Sequence, residues 1–183
     1  IRGVRAIRVS LIDATHMLKP PEHRGLIMSD SIRQRVQALG LTLPTPSQPI
    51  ANYINHVASQ HHLFVSGQIP LLDGKPAYVG RLGESVSDDE GAHAAELAAL
   101  GLLGQLSDAL GDDLSRLVRT VRLGVFIASS GDFKQQSVVA NGASNLLVNA
   151  LGEKGRHVRT AVGVSSLPAG VAVEVDAIFE LRP

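Results

Sequence analysis

From Ser87 to Gly111 the sequence spells out one long helix with both ends marked. Ser87 is placed to cap it, Glu90 stands three residues on to complete a capping box, and Asp88, Asp89 and Glu90 favour the positive N-terminal end. Ala94, Leu97, Leu100, Leu103, Leu106 and Leu110 form an apolar stripe wide enough to be buried, and Gly111 supplies the stop. Gly101 and Gly104 permit close backbone approach to a neighbour, at a cost of about 1 kcal/mol each relative to alanine. A second long helix is expected from about Phe133 to Leu151, ending at Gly152. A third, at Ser31–Leu39, is short: Ile32, Val36 and Leu39 fall at helical spacing and Gly40 stops it.

The remaining apolar segments read as strands, after a loop from Thr42 to Pro49 that holds three prolines. They are Tyr53–Ala58, His62–Ser66, a short Ala77-Tyr78-Val79 after an Asp73-Gly74 turn, Val118–Ala128, Val158–Ser165 and Ala172–Leu181. On Val118–Ala128, Val121, Leu123, Val125 and Ile127 form one face and Arg122, Gly124, Phe126 and Ala128 the other. On the last strand Val173, Val175, Ala177 and Phe179 alternate with Glu174, Asp176, Ile178 and Glu180. The order is that of an α+β fold, a mixed sheet with two long helices packed on one face. Two helices cover only one face, so the other is expected to expose Phe126, Ala128, Ala161, Gly163 and Ile178, with Arg159 and Glu174 facing the same way. Such a mixed face is closed by another subunit, so a homo-oligomer is expected.

Composition narrows the function classes. The chain has 183 residues and 44% apolar side chains, enough for one domain with a real core. Without cysteine it has no disulfide, thiolate metal site or cysteine nucleophile, which fits a reducing compartment, and a cytoplasmic location is expected. The formal charge of zero conceals an asymmetry: residues 1–27 hold five basic and two acidic side chains, and the rest holds 12 basic and 15 acidic. Arg2, Arg5, Arg8 and Asp13 interrupt every apolar run of the first segment, so it is neither a signal peptide nor a membrane span. Residues 1–27 are read as an extension, disordered or foreign to the native protein, and 28–183 as a single domain. Met28-Ser29-Asp30-Ser31 looks like a natural start with Ser29 or Asp30 as helix cap. A net-acidic domain with few aromatics argues against a nucleic-acid partner.

Motifs for common chemistries are missing. His56, His61 and His62 cluster, but adjacent strand residues point to opposite faces, and no HExxH accompanies them, so they read as surface histidines and no metal is expected. His93 and His157 carry no motif. There is no Gly-x-Ser-x-Gly elbow, no Gly-x-Gly-x-x-Gly and no P-loop. What stands out is polar residues inside apolar strands: Arg159 in His157–Val164 and Glu174 in Val171–Ile178. An arginine at an interface is costly unless paired with a carboxylate, and its planar fork grips one in bidentate fashion.

Ser66-Gly67-Gln68-Ile69-Pro70, Asp132-Phe133, and Arg159…Gly163-Val164…Leu167-Pro168…Val173-Glu174-Val175-Asp176-Ala177-Ile178 resemble the Rid family, also called reactive-intermediate deaminase, YjgF-type or endoribonuclease L-PSP. The resemblance runs from about Pro49 to Leu181 and is closest to the longer, chorismate-mutase-like branch. It implies three subunits around a central barrel, with active sites in the clefts between them. It implies that Arg159 binds a substrate carboxylate and that Glu174 stands near the hydrolytic water. Tyr53 and Ser66 match pocket residues, and Asn141 matches an asparagine of the second helix if the extra residues between Phe133 and Arg159 precede it. The family often has a cysteine where this chain has Ala161, so a backbone carbonyl role survives there and a thiol role does not. Ala51-Asn52 replaces a Gly-Pro, and the stretch from Phe133 to Arg159 is several residues longer.

The implied activity is cofactor-free hydrolysis of 2-imino acids, or their enamines, to 2-keto acids and ammonia. The alternative is a non-catalytic trimeric binder of small carboxylates, or a chaperone-like protein, using the same clefts. RNA cleavage suffers from the domain's negative charge. Chorismate mutase chemistry suffers from having one cation, Arg159, in a recognisable site.

Overall fold

The computed structural model describes residues 31–46 and 52–183. The expectations for residues 1–27 and for caps at Ser29 or Asp30 lie outside them. The first described helix, α1 (Ile32–Ala38), is capped by Ser31, whose hydroxyl accepts from the Gln34 N–H. Strands β1 (His56–Ser59) and β2 (His62–Gln68) form a hairpin. A second, two-residue-arm hairpin follows, β3 (Leu71–Leu72) and β4 (Lys75–Pro76). Its turn is the expected Asp73-Gly74, with φ of 50° and 75°, the positive pair that a tight hairpin turn needs.

Helix α2 (Asp88–Leu110) begins at Ser87 with the complete capping box and ends at Gly111 in the left-handed conformation, as its sequence dictates. Strand β5 (Leu117–Ala128), helix α3 (Gln136–Leu151), strand β6 (Val158–Val164) and strand β7 (Val173–Leu181) complete the chain. Helix α3 starts three residues later than its apolar pattern, and β1 starts three residues after Tyr53. Ala77–Val79 is not a strand; Val79 makes only a lone bridge to Val171.

The main sheet runs β1-β2-β7-β5-β6. Only β5 and β6 are parallel, joined through the crossover helix α3. Helices α2 and α3 lie on one face, over Leu63, Val65, Leu123, Val125, Ile127, Val173, Val175, Ala177 and Phe179, all buried. The α+β expectation with one covered face holds. Between the helices the backbones nearly touch: a Cβ on Gly142 would stand 1.9 Å from the Ala92 carbonyl oxygen. Gly104 similarly faces the Pro44 carbonyl at 3.0 Å and Gly101 the Gln68 side chain at 3.3 Å. Among the described residues no helix is long and apolar enough to cross a membrane.

Face assignments change on two strands, and Ala128, expected to be exposed, is buried. The pairing of β5 with β7 slips between Thr120 and Arg122, so Val121 is the extra residue of a bulge and only partly buried. Thr120 takes the core position opposite Phe179. On β6, the parallel register sets Arg159 beside Leu123, Ala161 beside Val125 and Gly163 beside Ile127. All three therefore look toward the helices, and Val158, Thr160 and Val162 take the open face.

Candidate functional site

On the helix side, Arg159 reaches along α3. Its Nη1 donates to Asn141 Oδ1 at 3.1 Å and to Ser144 Oγ at 3.0 Å, and its Nη2 donates to the Ser137 carbonyl at 3.2 Å. Ser137, Asn141 and Ser144 fall at i, i+4 and i+7, so their polar groups share one side of the helix. A guanidinium has five N–H donors, so two remain, on the neighbouring nitrogens Nε and Nη2. No carboxylate among the described residues pairs with Arg159; the four ion pairs there involve other arginines. Neutral acceptors thus hold a half-exposed cation in one orientation with its charge unbalanced, which is how an anion receptor is built. Ala161 follows on the same face and packs at the edge of the core.

On the open face, Glu174 sits opposite Phe126, and its carboxyl lies against Gly67: a Cβ there would stand 1.9 Å from Oε1. Asp176 fills the matching slot at Gly124, accepting from the Gly124 N–H at 3.1 Å and pairing with Arg122 at 3.0 Å. Glu174 has no hydrogen-bond partner among the described residues. Burial, and then the charge of Asp176, push its carboxyl above the usual carboxylate range. Ser66 precedes the Gly67 slot, with its hydroxyl donating to the Asn55 carbonyl at 3.0 Å. Tyr53 is exposed, just ahead of β1.

The expected site residues therefore form two groups. Arg159, Asn141 and Ala161 lie on the helix side, and Glu174 lies on the open side with Ser66 on the adjoining strand. The expectation that Arg159 and Glu174 face the same way is corrected by the β6 register: within one chain the sheet itself separates them. Sequence reasoning missed Ser144, Ser137 and the two glycine slots. It also passed over His157, whose Nε2 lies 3.0 Å from Ser144 Oγ. The polar period on α3 was the available signal for the first two. No group of three or more potential metal ligands occurs among the described residues.

A family model described as "YjgF/chorismate mutase-like, putative endoribonuclease" matches residues 33–180. The chain belongs to this YjgF/chorismate-mutase-like family. A curated relative, Protein TCP17 of Trypanosoma cruzi, is 46% identical over 159 residues, 86% of this chain and 99% of that protein. A solved structure of a protein of unknown function from Agrobacterium tumefaciens is 46% identical, covers 85% of this chain and 96% of its own, and superposes with a TM-score of 0.78. A Shewanella oneidensis structure, called a putative endoribonuclease, is 33% identical over 82% of this chain and 99% of its own, with a TM-score of 0.79. The YjgF-type fold agrees with the element order found here.

Proposed function

We propose that this YjgF-family chain hydrolyses 2-imino acids, or their enamine tautomers, to 2-keto acids and ammonia. On this reading the sites lie in clefts between the chains of a homotrimer. The observation that carries it is Arg159, a cation held by three neutral acceptors with two N–H groups left over. The substrate carboxylate would take those two donors, fixing the imine carbon beside the Ala161 carbonyl. Because Glu174 cannot reach Arg159 across its own sheet, the glutamate of a neighbouring chain supplies the proton chemistry.

The steps balance simply. Glu174 takes a proton from water as the water oxygen bonds to the imine carbon. It returns that proton to nitrogen, giving a carbinolamine; the same carboxyl then carries the proton of the new hydroxyl to nitrogen as the C–N bond breaks and the C=O bond forms, releasing ammonia and the 2-keto acid. A carboxyl raised above its ordinary range suits both halves of that exchange. Orientation by Arg159 supplies several kcal/mol of the barrier and the proton shuttle about 10²–10⁴ in rate. Tyr53 and Ser66 bound the pocket, and the reading calls for no cofactor and a cytoplasmic setting.

RNA cleavage is the weaker reading, because the chain from residue 28 holds 15 acidic against 12 basic side chains and RNA affinity needs phosphate neutralisation. The test is release of 2-keto acid in an assay coupled to an imine-generating dehydratase. Arg159→Ala is expected to abolish it, and unchanged activity refutes the assignment. A monomeric mass by light scattering refutes the shared cleft.

A further inference from the structure

One polar chain leads away from Arg159 and is not used in the scheme above. Arg159 Nη1 donates to Ser144 Oγ (3.0 Å), Ser144 Oγ lies 3.0 Å from His157 Nε2, and His157 Nδ1 lies 2.6 Å from the Gly155 carbonyl. Chemistry fixes the direction of each bond. A carbonyl only accepts, so Nδ1 carries the imidazole proton. In the neutral ring Nε2 is then an acceptor, so the Ser144 hydroxyl donates to it. Arginine only donates, so it meets a lone pair of the same oxygen.

We propose that His157 is a positioning residue for Arg159, acting through Ser144, and that its protonation tightens the grip of Arg159 on a carboxylate. The proposal rests on Arg159 as the carboxylate anchor. With His157 neutral, the Ser144 hydrogen is held away from the guanidinium, and Arg159 finds an oriented acceptor. When His157 takes up a proton, Nε2–H donates to Ser144, and two cations then share one oxygen. That second charge favours an anion bound to Arg159, so proton uptake and carboxylate binding assist each other.

Few other groups can mimic the effect. Helix α3 carries no titratable residue, and Arg159 is the only charged residue of β6; helix α2, which meets α3 at Ala92 and Gly142, carries His93 and Glu96 next along it. In the turn before His157, Glu153 pairs with Arg156, and Lys154 donates to the Leu114 carbonyl. Arg35 of α1 donates to the Ala150 carbonyl at the far end of α3. On β5, Arg119 and Arg122 pair with Glu180 and Asp176. Glu174, in a neighbouring chain's half of the cleft, and His93 and Glu96 of α2 are the rivals, and all three survive in the variants below.

The experiment is calorimetric binding of pyruvate to the full chain between about pH 8 and pH 5, the range in which histidine changes charge. Wild type is expected to tighten about threefold as pH falls, the size of a second charge acting across a few more ångströms at the surface. His157→Gln, which keeps an acceptor for Ser144 but cannot be protonated, is expected to match wild-type affinity at high pH and to lose that tightening. His157→Leu and Ser144→Ala are expected to bind several-fold more weakly at both ends. A His157→Gln slope equal to wild type, or Ser144→Ala binding at full strength, overturns the coupling. Arg159→Ala separates the two ideas: if it binds pyruvate like wild type, the anchor reading fails, whereas its loss of binding beside a flat wild-type profile sinks the coupling alone. Nitrogen-15 spectra of the histidines read the relay with no ligand present. A neutral His157 protonated on Nε2, or one unmoved by Ser144→Ala, overturns it.

Discussion

Two glycines pose the same steric problem with opposite expected outcomes. A Cβ on Gly67 would stand 1.9 Å from Glu174 Oε1 and 2.7 Å from its Cδ. A Cβ on Gly142 would stand 1.9 Å from the Ala92 carbonyl oxygen and 2.8 Å from its carbon. The obstacle at Gly67 is the end of a flexible side chain, and Gly67 is not among the residues with positive φ. Gly67→Ala therefore gains about 0.4–1 kcal/mol by restricting the unfolded chain. It spends a similar amount moving Glu174 to a poorer rotamer. Net stability should stay within about 1 kcal/mol, a shift of no more than roughly 4 °C in Tm for a chain of this size. Activity should not survive so well, because the displaced carboxylate no longer meets its water, a loss of about 10²–10⁴ in rate. At Gly142 the obstacle is helix backbone, so α2 and α3 must part; a loss of about 3 kcal/mol or more is expected, the upper end of overpacking costs. Thermal unfolding of both variants, with the coupled imine assay on Gly67→Ala, decides the matter. If Gly67→Ala unfolds as readily as Gly142→Ala, or turns over substrate like wild type, the reasoning about the Glu174 slot is wrong.

Three further outcomes are expected. Arg159→Lys keeps the charge but offers one ammonium to Asn141, Ser144 and Ser137 together, so carboxylate affinity should fall about tenfold or more, measured by calorimetry. Thr120→Val should stabilise the fold by about 1 kcal/mol in denaturant titration, because the buried Thr120 hydroxyl finds no partner among the described residues. Glu174→Gln should raise Tm at neutral pH while abolishing turnover. The native state holds the Glu174 proton more tightly than the unfolded chain does. Wild-type stability therefore falls as pH rises through the carboxylate range, and the variant should lose that part of the slope.

The elements were legible where local chemistry decides them. Ser87, Glu90 and Gly111 set both ends of α2 without outside help, and Asp73-Gly74 sets its own turn. The facing of β6 was not legible. Its residues alternate small and polar with apolar on both sides, so nothing in Val158–Val164 says which set points inward. That is fixed by the parallel register against β5, a long-range fact set by the length of the α3 crossover. The bulge at Val121 is of the same kind, because only the pairing with β7 reveals the extra residue. In the site, Arg159 and Glu174 could be named from pattern and resemblance. Their separation by the sheet could not, since it follows from that same register. Gly67 and Gly124 were invisible as functional positions because what they accommodate, Glu174 and Asp176, lies on a different strand.

That separation bears on assembly. The open face carries one row across the entire sheet: Val57, Phe64, Ile178, Arg122 and Val158, each directly opposite the next. Three of the five are well exposed, Val57 at 48%, Phe64 at 42% and Val158 at 68%, and Val162 beside the row is exposed at 40%. Beside it stands a carboxyl already raised by burial, with no donor of its own. A lone chain would leave apolar surface in water and a carboxylate half-desolvated with no partner, two costs with no return. The edge strand β6 adds a third, since among the described residues the hydrogen-bonding groups along its outer side meet no strand. On the trimer reading, one arrangement relieves all three. A neighbouring chain covers the row and the β6 edge, and its Glu174 gains what it lacks at home, a substrate held by the Arg159 of another chain.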